Sequence, residues 1–181
     1  MNEGLIPRRY AKALYKYALE KGVEQHVYQL MQTLMASFDS EPQLQTVMSN
    51  PFVSADDKKR LLTTASGAEA GDSMFADFMK LLERNDRLSL TRDIALAYVN
   101  IYRAEKDIYR VHITSASALS ETERKRLKAL VQRHLKGGTM EYSESVDPSL
   151  IGGFTVSVGN DRVDASVSNE LKQLRLNLIS K

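Results

Sequence analysis

A helical bundle followed by a small α/β domain, together an α+β chain of two domains, is the fold class this sequence predicts, and three observations predict it. From residue 5 to residue 105 apolar side chains recur at steps of three and four, the period of an amphipathic helix. After Lys106 the period drops to two: Tyr109, Val111 and Ile113 alternate with Arg110, His112 and Thr114, as in a half-buried strand. Helix caps and glycine or proline breaks then cut the first part into six helices and the second into a strand, a helix, further strands and a last helix.

The first helix carries Ile6, Tyr10, Ala13, Leu14, Tyr17 and Ala18 in one stripe, with Pro7 suited to its first turn and Gly22 to its stop. The second, residues 24–38, places Val27, Leu30, Met31, Leu34, Met35 and Phe38 together. Only a short third helix fits residues 42–48, because Asn50-Pro51 forces the chain out of helical geometry. Ser54 with Asp57 opens the fourth like a capping box and Gly67 follows its end; Met74, Phe75, Phe78, Met79, Leu81 and Leu82 make a strongly apolar fifth. Residues 88–105 read as one long sixth helix, with Leu90, Ile94, Ala97, Tyr98 and Ile101 in line.

The boundary is expected near residues 104–108, giving a bundle over 1–105 and an α/β domain over 106–181 with a short sheet and two helices. After the strand at 108–114, Ser120 and Glu123 form a full capping box for a helix through Leu127, Leu130, Val131 and Leu135, stopped by Gly137-Gly138. Strands are expected at 139–146, 153–158 and 162–164, the last two joined by a turn at Gly159-Asn160-Asp161. Val167, Leu171, Leu174 and Leu178 then form the narrow seam of the final helix.

Composition narrows the function. With 181 residues, 43% hydrophobic and 27% charged, the chain has the material for a proper core, and its zero cysteines leave no disulfide and no thiolate metal site. No apolar run is long enough to span a bilayer and the N-terminus lacks a secretory pattern, so a soluble, unprocessed, cytoplasmic chain is expected. The net charge of +2 is mild, and its densest cluster, Arg124, Lys125, Arg126 and Lys128, lies at helical spacing from Glu121 and Glu123, as on a solvated helix face. No phosphate-binding glycine loop occurs; His26, His112 and His134 are too scattered for a metal site, and Asp56-Asp57 fits a helix start better than acid–base work. No cofactor, metal or catalytic constellation is expected. Interaction surface is left: aromatic and methionine side chains on the first and fifth helices suit either the bundle core or a groove for a partner helix, which periodicity does not separate.

Five stretches carry a resemblance that does separate them: PRRYAKALYKYALEKG (7–22), NPFVS (50–54), LLERNDRL (81–88), ITSASALSETE (113–123) and VDPSLIGGFTVSVGNDRVDASV (146–167). In this order they resemble the delta subunit of F-type ATP synthases, relatives of the mitochondrial oligomycin-sensitivity-conferring protein. The resemblance implies a non-catalytic stator subunit that joins the α/β catalytic head to the membrane-anchored b subunits, one copy per complex, on the cytoplasmic face of the bacterial inner membrane and held there only through the complex. It implies that the bundle takes an α-subunit N-terminal helix, with Tyr10, Ala13, Leu14, Tyr17, Phe75, Phe78 and Met79 as candidate contacts. The second domain would face b, through Ile151, Gly152, Gly153 and Phe154 or through Leu171, Leu174 and Leu178. A helical adaptor or nucleic-acid-binding module is the alternative, although no nucleic-acid partner is expected.

Overall fold

The computed structural model describes residues 4–69, 71–135, 137–159 and 161–179, and it divides the chain into two compact units, Met1–Ala104 and Glu105–Lys181. The first holds α1 (Leu5–Lys21), α2 (Glu24–Ser40), α3 (Gln43–Ser49), α4 (Ala55–Ser66), α5 (Ser73–Arg84) and α6 (Thr91–Glu105). The local signals act as expected. Gly22 closes α1 in the left-handed conformation, its N–H reaching the Ala18 and Leu19 carbonyls. Ser54 accepts from the Asp57 amide at 3.1 Å, and its hydroxyl donates to the Asp57 carboxylate at 2.7 Å in place of the backbone half of a full box. Asp72 caps α5 through the Phe75 amide.

Two sequence expectations need correction. The sixth helix is not continuous from residue 88: a single turn of 3-10 helix at Leu88–Leu90 precedes α6, pinned by Thr91 Oγ1 donating to the Leu88 carbonyl at 2.6 Å. The buried stripes of α1 and α6 are also rotated from those that the apolar spacing predicts. α1 buries Pro7, Ala11, Leu14, Tyr15 and Ala18, whereas α6 buries Thr91, Ile94, Ala95, Tyr98, Val99 and Tyr102. A tyrosine cluster decides this choice. Tyr15 meets Tyr98 and Tyr102 edge to face at 6.0 and 6.4 Å, and Tyr28 stacks on Tyr102 at 4.1 Å. Tyr98 satisfies its hydroxyl on the Glu24 carbonyl, and burial pushes that hydroxyl's pKa up.

The second unit holds β1 (Ile108–Ser115), α7 (Glu121–His134), β2 (Thr139–Val146), β3 (Gly153–Val158), β4 (Asp161–Ser166) and α8 (Val167–Ile179). Its sheet order is β2-β1-β3-β4, with β1 parallel to β2 across the α7 crossover and the rest antiparallel. β4 is longer than the expected 162–164. In the expected turn before it, Asn160 lies outside the described residues. Ser120 and Glu123 complete the capping box that starts α7.

Period two sorts the sheet into two unlike faces. Val111, Ile113 and Val156 form a cluster with Val131 of α7 and Leu135 at its C-cap, against which Leu127, Met140, Tyr142, Phe154 and Val158 also pack. On the other face lie Arg110, His112, Thr114, Ser143, Ser145, Thr155 and Ser157, with the His112 ring held between the Ser143 and Ser145 hydroxyls at 2.9 and 3.0 Å. Among the described residues, no helix is long and apolar enough to cross a membrane.

Candidate functional site

α1 presents apolar side chains on two arcs, and only one of them serves the core. On the outward arc Ile6 and Tyr10 are half-buried, Ala13 is exposed and Tyr17 is 45% exposed. α5 answers with Leu81, 44% exposed on its own outer edge. Ile6, Arg9, Tyr10 and Ala13 face Leu81 and Arg87 across a groove of about 430 Å³. Farther along the same two helices, Tyr17 and Lys21 face Met74 and Asp77 in a hollow of about 590 Å³, which Asp72 and His26 also line. Residues 6, 10, 13, 17 and 21 of α1 and 74, 77 and 81 of α5 follow helical spacing, so the two hollows lie along one strip of this helix pair. A helix the length of α1 spans about 25 Å, long enough to seat a partner helix of four turns.

Four expected groove residues lie elsewhere. Leu14, Phe75, Phe78 and Met79 are 4%, 2%, 6% and 2% exposed and belong to the bundle core, because the apolar arc of α5 is wider than the strip and its larger part faces inward. They form the floor under the groove. Tyr10, Ala13 and Tyr17 do line it, and Leu81 is the member that sequence reading passed over as one more core position. The strip is anchored at one end, where Asp72 binds His26 Nε2 at 2.6 Å while capping α5, tying α2 to the α5 start.

In the second unit α7 covers only part of the apolar face of the sheet. Phe154, Val156, Val158, Val163 and Ala165 continue that face over β3 and β4, and with Tyr109, Leu130 and His134 they bound a trough of about 710 Å³. Its rim is exposed: Val163 is 66%, Leu130 54% and Tyr109 38% accessible. Of the described residues expected to face b, only Phe154 lines this trough. Ile151, 67% exposed, sits just before β3 at φ +66°, a conformation that a β-branched residue adopts only under strain. Gly152 packs under Val167, and Gly153 has φ +75° with no room for a side chain, since a Cβ would run into the Ala165 carbonyl on β4. Leu171 is exposed on α8, while the side chains of Leu174 and Leu178 lie outside the described residues. Sequence reading missed Tyr109, Leu130 and Val163 as a set. The available signal was that one helix cannot cover a four-stranded face.

The basic cluster of α7 is partly consumed within its own unit. Arg124 bonds Glu144 at 2.9 and 2.6 Å and also pairs with Glu121, and Lys128 lies over the Tyr142 ring at 4.1 Å. Arg124 and the Tyr142 hydroxyl together hold the Glu144 carboxyl below its usual pKa. Among the described residues, no group of three or more His, Asp or Glu is gathered to hold a metal, and the three histidines engage separate partners.

Comparison with known proteins gives these surfaces a setting. The family description "ATP synthase delta (OSCP) subunit" matches residues 6–178. The ATP synthase subunit delta of Parabacteroides distasonis is 39% identical over 99% of this chain and 98% of its own, and that of Bacteroides thetaiotaomicron is 35% identical over 100% and 97%. A chain of the Toxoplasma gondii mitochondrial ATP synthase hexamer shares the fold, with a TM-score of 0.72 over 96% of this chain and 97% of that one at 20% identity. The chain belongs to the ATP synthase delta (OSCP) family, the non-catalytic subunit of the peripheral stalk of F-type ATP synthases.

Proposed function

We propose that the two units hold opposite ends of the stator: the α1/α5 groove takes the N-terminal helix of an α subunit of the catalytic head, and the trough beside α7 takes a helix of the membrane-anchored b subunits. The observation that carries this reading is a pair of open grooves, one on each unit, with exposed apolar side chains along them: Tyr17 and Leu81 on the first, Tyr109, Leu130 and Val163 on the second. One copy in each complex, on the cytoplasmic face of the bacterial inner membrane, would suffice for the task. Rotor torque would otherwise carry the head around with it, so the tie must resist rotation and needs no bond-making step. Once one groove is filled the other binding event becomes effectively intramolecular, and two interfaces of modest affinity add up to a tight link.

The test uses the full chain with two peptides, one from the α N-terminus and one from the b C-terminus, titrated by calorimetry. Ala13→Glu places a desolvated charge in the first groove and is expected to abolish α-peptide binding while b-peptide binding stays. Val163→Glu is expected to do the reverse. In reconstituted membranes each variant should lose proton-driven ATP synthesis, with the ATPase rate of the soluble head unchanged. Full α-peptide affinity in a folded Ala13→Glu chain would remove this groove from the proposal.

A further inference from the structure

The two glycines after α7 do different work. Gly137, at φ +96°, makes the turn. Gly138 lies outside the left-handed region and is buried, and what excludes a side chain there is proximity: a Cβ would stand 2.5 and 2.8 Å from Cε2 and Cδ2 of the Tyr109 ring and 2.7 Å from the Asp107 carbonyl oxygen. Three hydrogen bonds hold this backbone in place. The Gly138 amide donates to the Leu135 carbonyl at 3.0 Å, Gln132 Nε2 donates to the Gly138 carbonyl at 2.8 Å, and the Thr139 amide donates to the Asp107 carbonyl at 3.0 Å. Tyr109 is therefore backed by bare main chain. Its own strand pairs with β2 at this point, through Met140, whereas the pairing of β1 with β3 begins only at Val111 and Val158. The ring is 38% exposed and walls the trough at the end where Val158 and Asp161 close the β3–β4 hairpin.

We infer that Gly138 sets the width of the trough at this end by letting the Tyr109 ring sit back against the main chain, and that the space in front of the ring receives one large apolar side chain of the partner helix, of leucine or aromatic size. Non-bonded carbons rest about 3.5–4.0 Å apart, so any side chain at position 138 would displace the ring by roughly 1 Å. The hydrogen-bonded main chain behind it does not yield, and the ring would move forward into the trough. Tyr109 is the contact and Gly138 the residue that positions it. Tyrosine suits such a wall, since it offers a large, rigid apolar area together with a hydroxyl that tolerates water. Ending α7 does not account for the second glycine, because Gly137 already supplies that turn. This inference rests on the trough being the b-subunit site, and it adds the chemistry of the side chain that enters it.

The experiment is a double-mutant cycle on the full chain, titrated by calorimetry with the peptide from the b C-terminus. Tyr109→Ala is expected to bind about tenfold more weakly and Gly138→Ala about fivefold, with the double variant no weaker than Tyr109→Ala alone, because the ring that the new methyl displaces is gone. An equal Gly138→Ala loss in both backgrounds would trace the effect to backbone strain at Asp107 and overturn the positioning role. A second measurement leaves Gly138 untouched, in case Gly138→Ala does not fold. Each large apolar residue of the b peptide is replaced by alanine in turn and titrated against the unaltered chain and against Tyr109→Ala. One position is expected to lose about tenfold in affinity with the first chain and little with the second; equal losses with both chains at every position would overturn the seat beside Tyr109. Full affinity in Tyr109→Ala alone would remove this inference and leave the trough standing, whereas full affinity in both Tyr109→Ala and Val163→Glu would remove the trough with it.

Discussion

The groove between α1 and α5 and the trough beside α7 differ in what lies beneath them. Under the first is a closed core, in which Leu14, Phe75, Phe78 and Met79 are buried whether or not a partner is present. Under the second is the apolar face of the sheet itself, continuous with the Val111, Ile113, Val131, Leu135 and Val156 cluster and covered by helix on one side only. Filling the first adds an interface to a finished domain, whereas filling the second completes a core. The unit Glu105–Lys181 is also small for a single core to sustain, so its stability should depend on its partner more than that of Met1–Ala104.

The substitution that should separate the units most sharply is Gly153→Val. Positive φ and the Ala165 carbonyl both exclude a branched side chain there, and relief requires β3 and β4 to part. A loss on the order of 4 kcal/mol is expected, enough to collapse amide dispersion for residues 105–181. Signals of residues 4–104 and α-peptide affinity should persist, while b binding and coupled ATP synthesis fall together. A variant that keeps both dispersion and b affinity would reduce the glycine pair to a turn.

Next in size is a contrast between adjacent residues on α1. Leu14→Ala opens a cavity in the core and should cost about 3 kcal/mol, whereas Ala13→Glu, on the exposed arc, should leave the melting temperature within about a degree or two and remove the α-peptide affinity. Were Ala13→Glu the more destabilising of the two, the inward and outward arcs of α1 would be exchanged.

That contrast marks where sequence reading ends. Elements were legible because their signals are local: Ser54, Ser120 and Glu123 act within one turn, and Gly22 stops α1 by its own backbone preference. The strands were legible for the same reason, since period two assigns Val111 and Ile113 to one face without reference to anything distant. Which arc of a helix faces inward was not. α1 has apolar side chains at 6, 10, 13 and 17 and again at 7, 11, 14, 15 and 18, and the choice is made by Tyr98 and Tyr102, more than eighty positions away in the chain. Periodicity has no access to that pairing, so four of the seven residues expected in the groove, Leu14, Phe75, Phe78 and Met79, belong to the core.

A smaller effect tests the trough side. At φ +66° and ψ −40° Ile151 is strained, while its side chain is exposed. Ile151→Gly should relieve the strain and stabilise the second unit by about 1 kcal/mol. If the side chain is held out for b, the same variant should bind the b peptide less well while melting higher. A lower melting temperature would remove the strain argument, and unchanged affinity would remove Ile151 from the interface.

The finest distinction between the units is their response to acid. Among the described residues the second unit has four carboxylates held below their usual pKa: Glu123 and Asp147 by hydrogen bonds from Ser120 and Ser149, Asp164 by those from Ser166, and Glu144 by Arg124 and Tyr142. The first unit has one, Asp56, beside Lys59. A depressed folded-state pKa contributes stability that is fully present above the unfolded value, about 3.9 for Asp and 4.3 for Glu, and is lost as pH falls through the folded value. Both units should therefore be indifferent to pH between about 7 and 5 and weaken below about 4, where these groups take up protons. The second unit should weaken first. All five groups are solvent-accessible, so the gap is small, about half a pH unit between the midpoints at which amide signals from residues 105–179 and 4–104 collapse. Glu144→Gln separates this cause from a merely weaker core: it removes one proton-linked contribution, so the second unit should be less stable at neutral pH yet lose less on acidification. An acid response as steep as that of the unaltered chain would mean that these carboxylates are not what sets the difference.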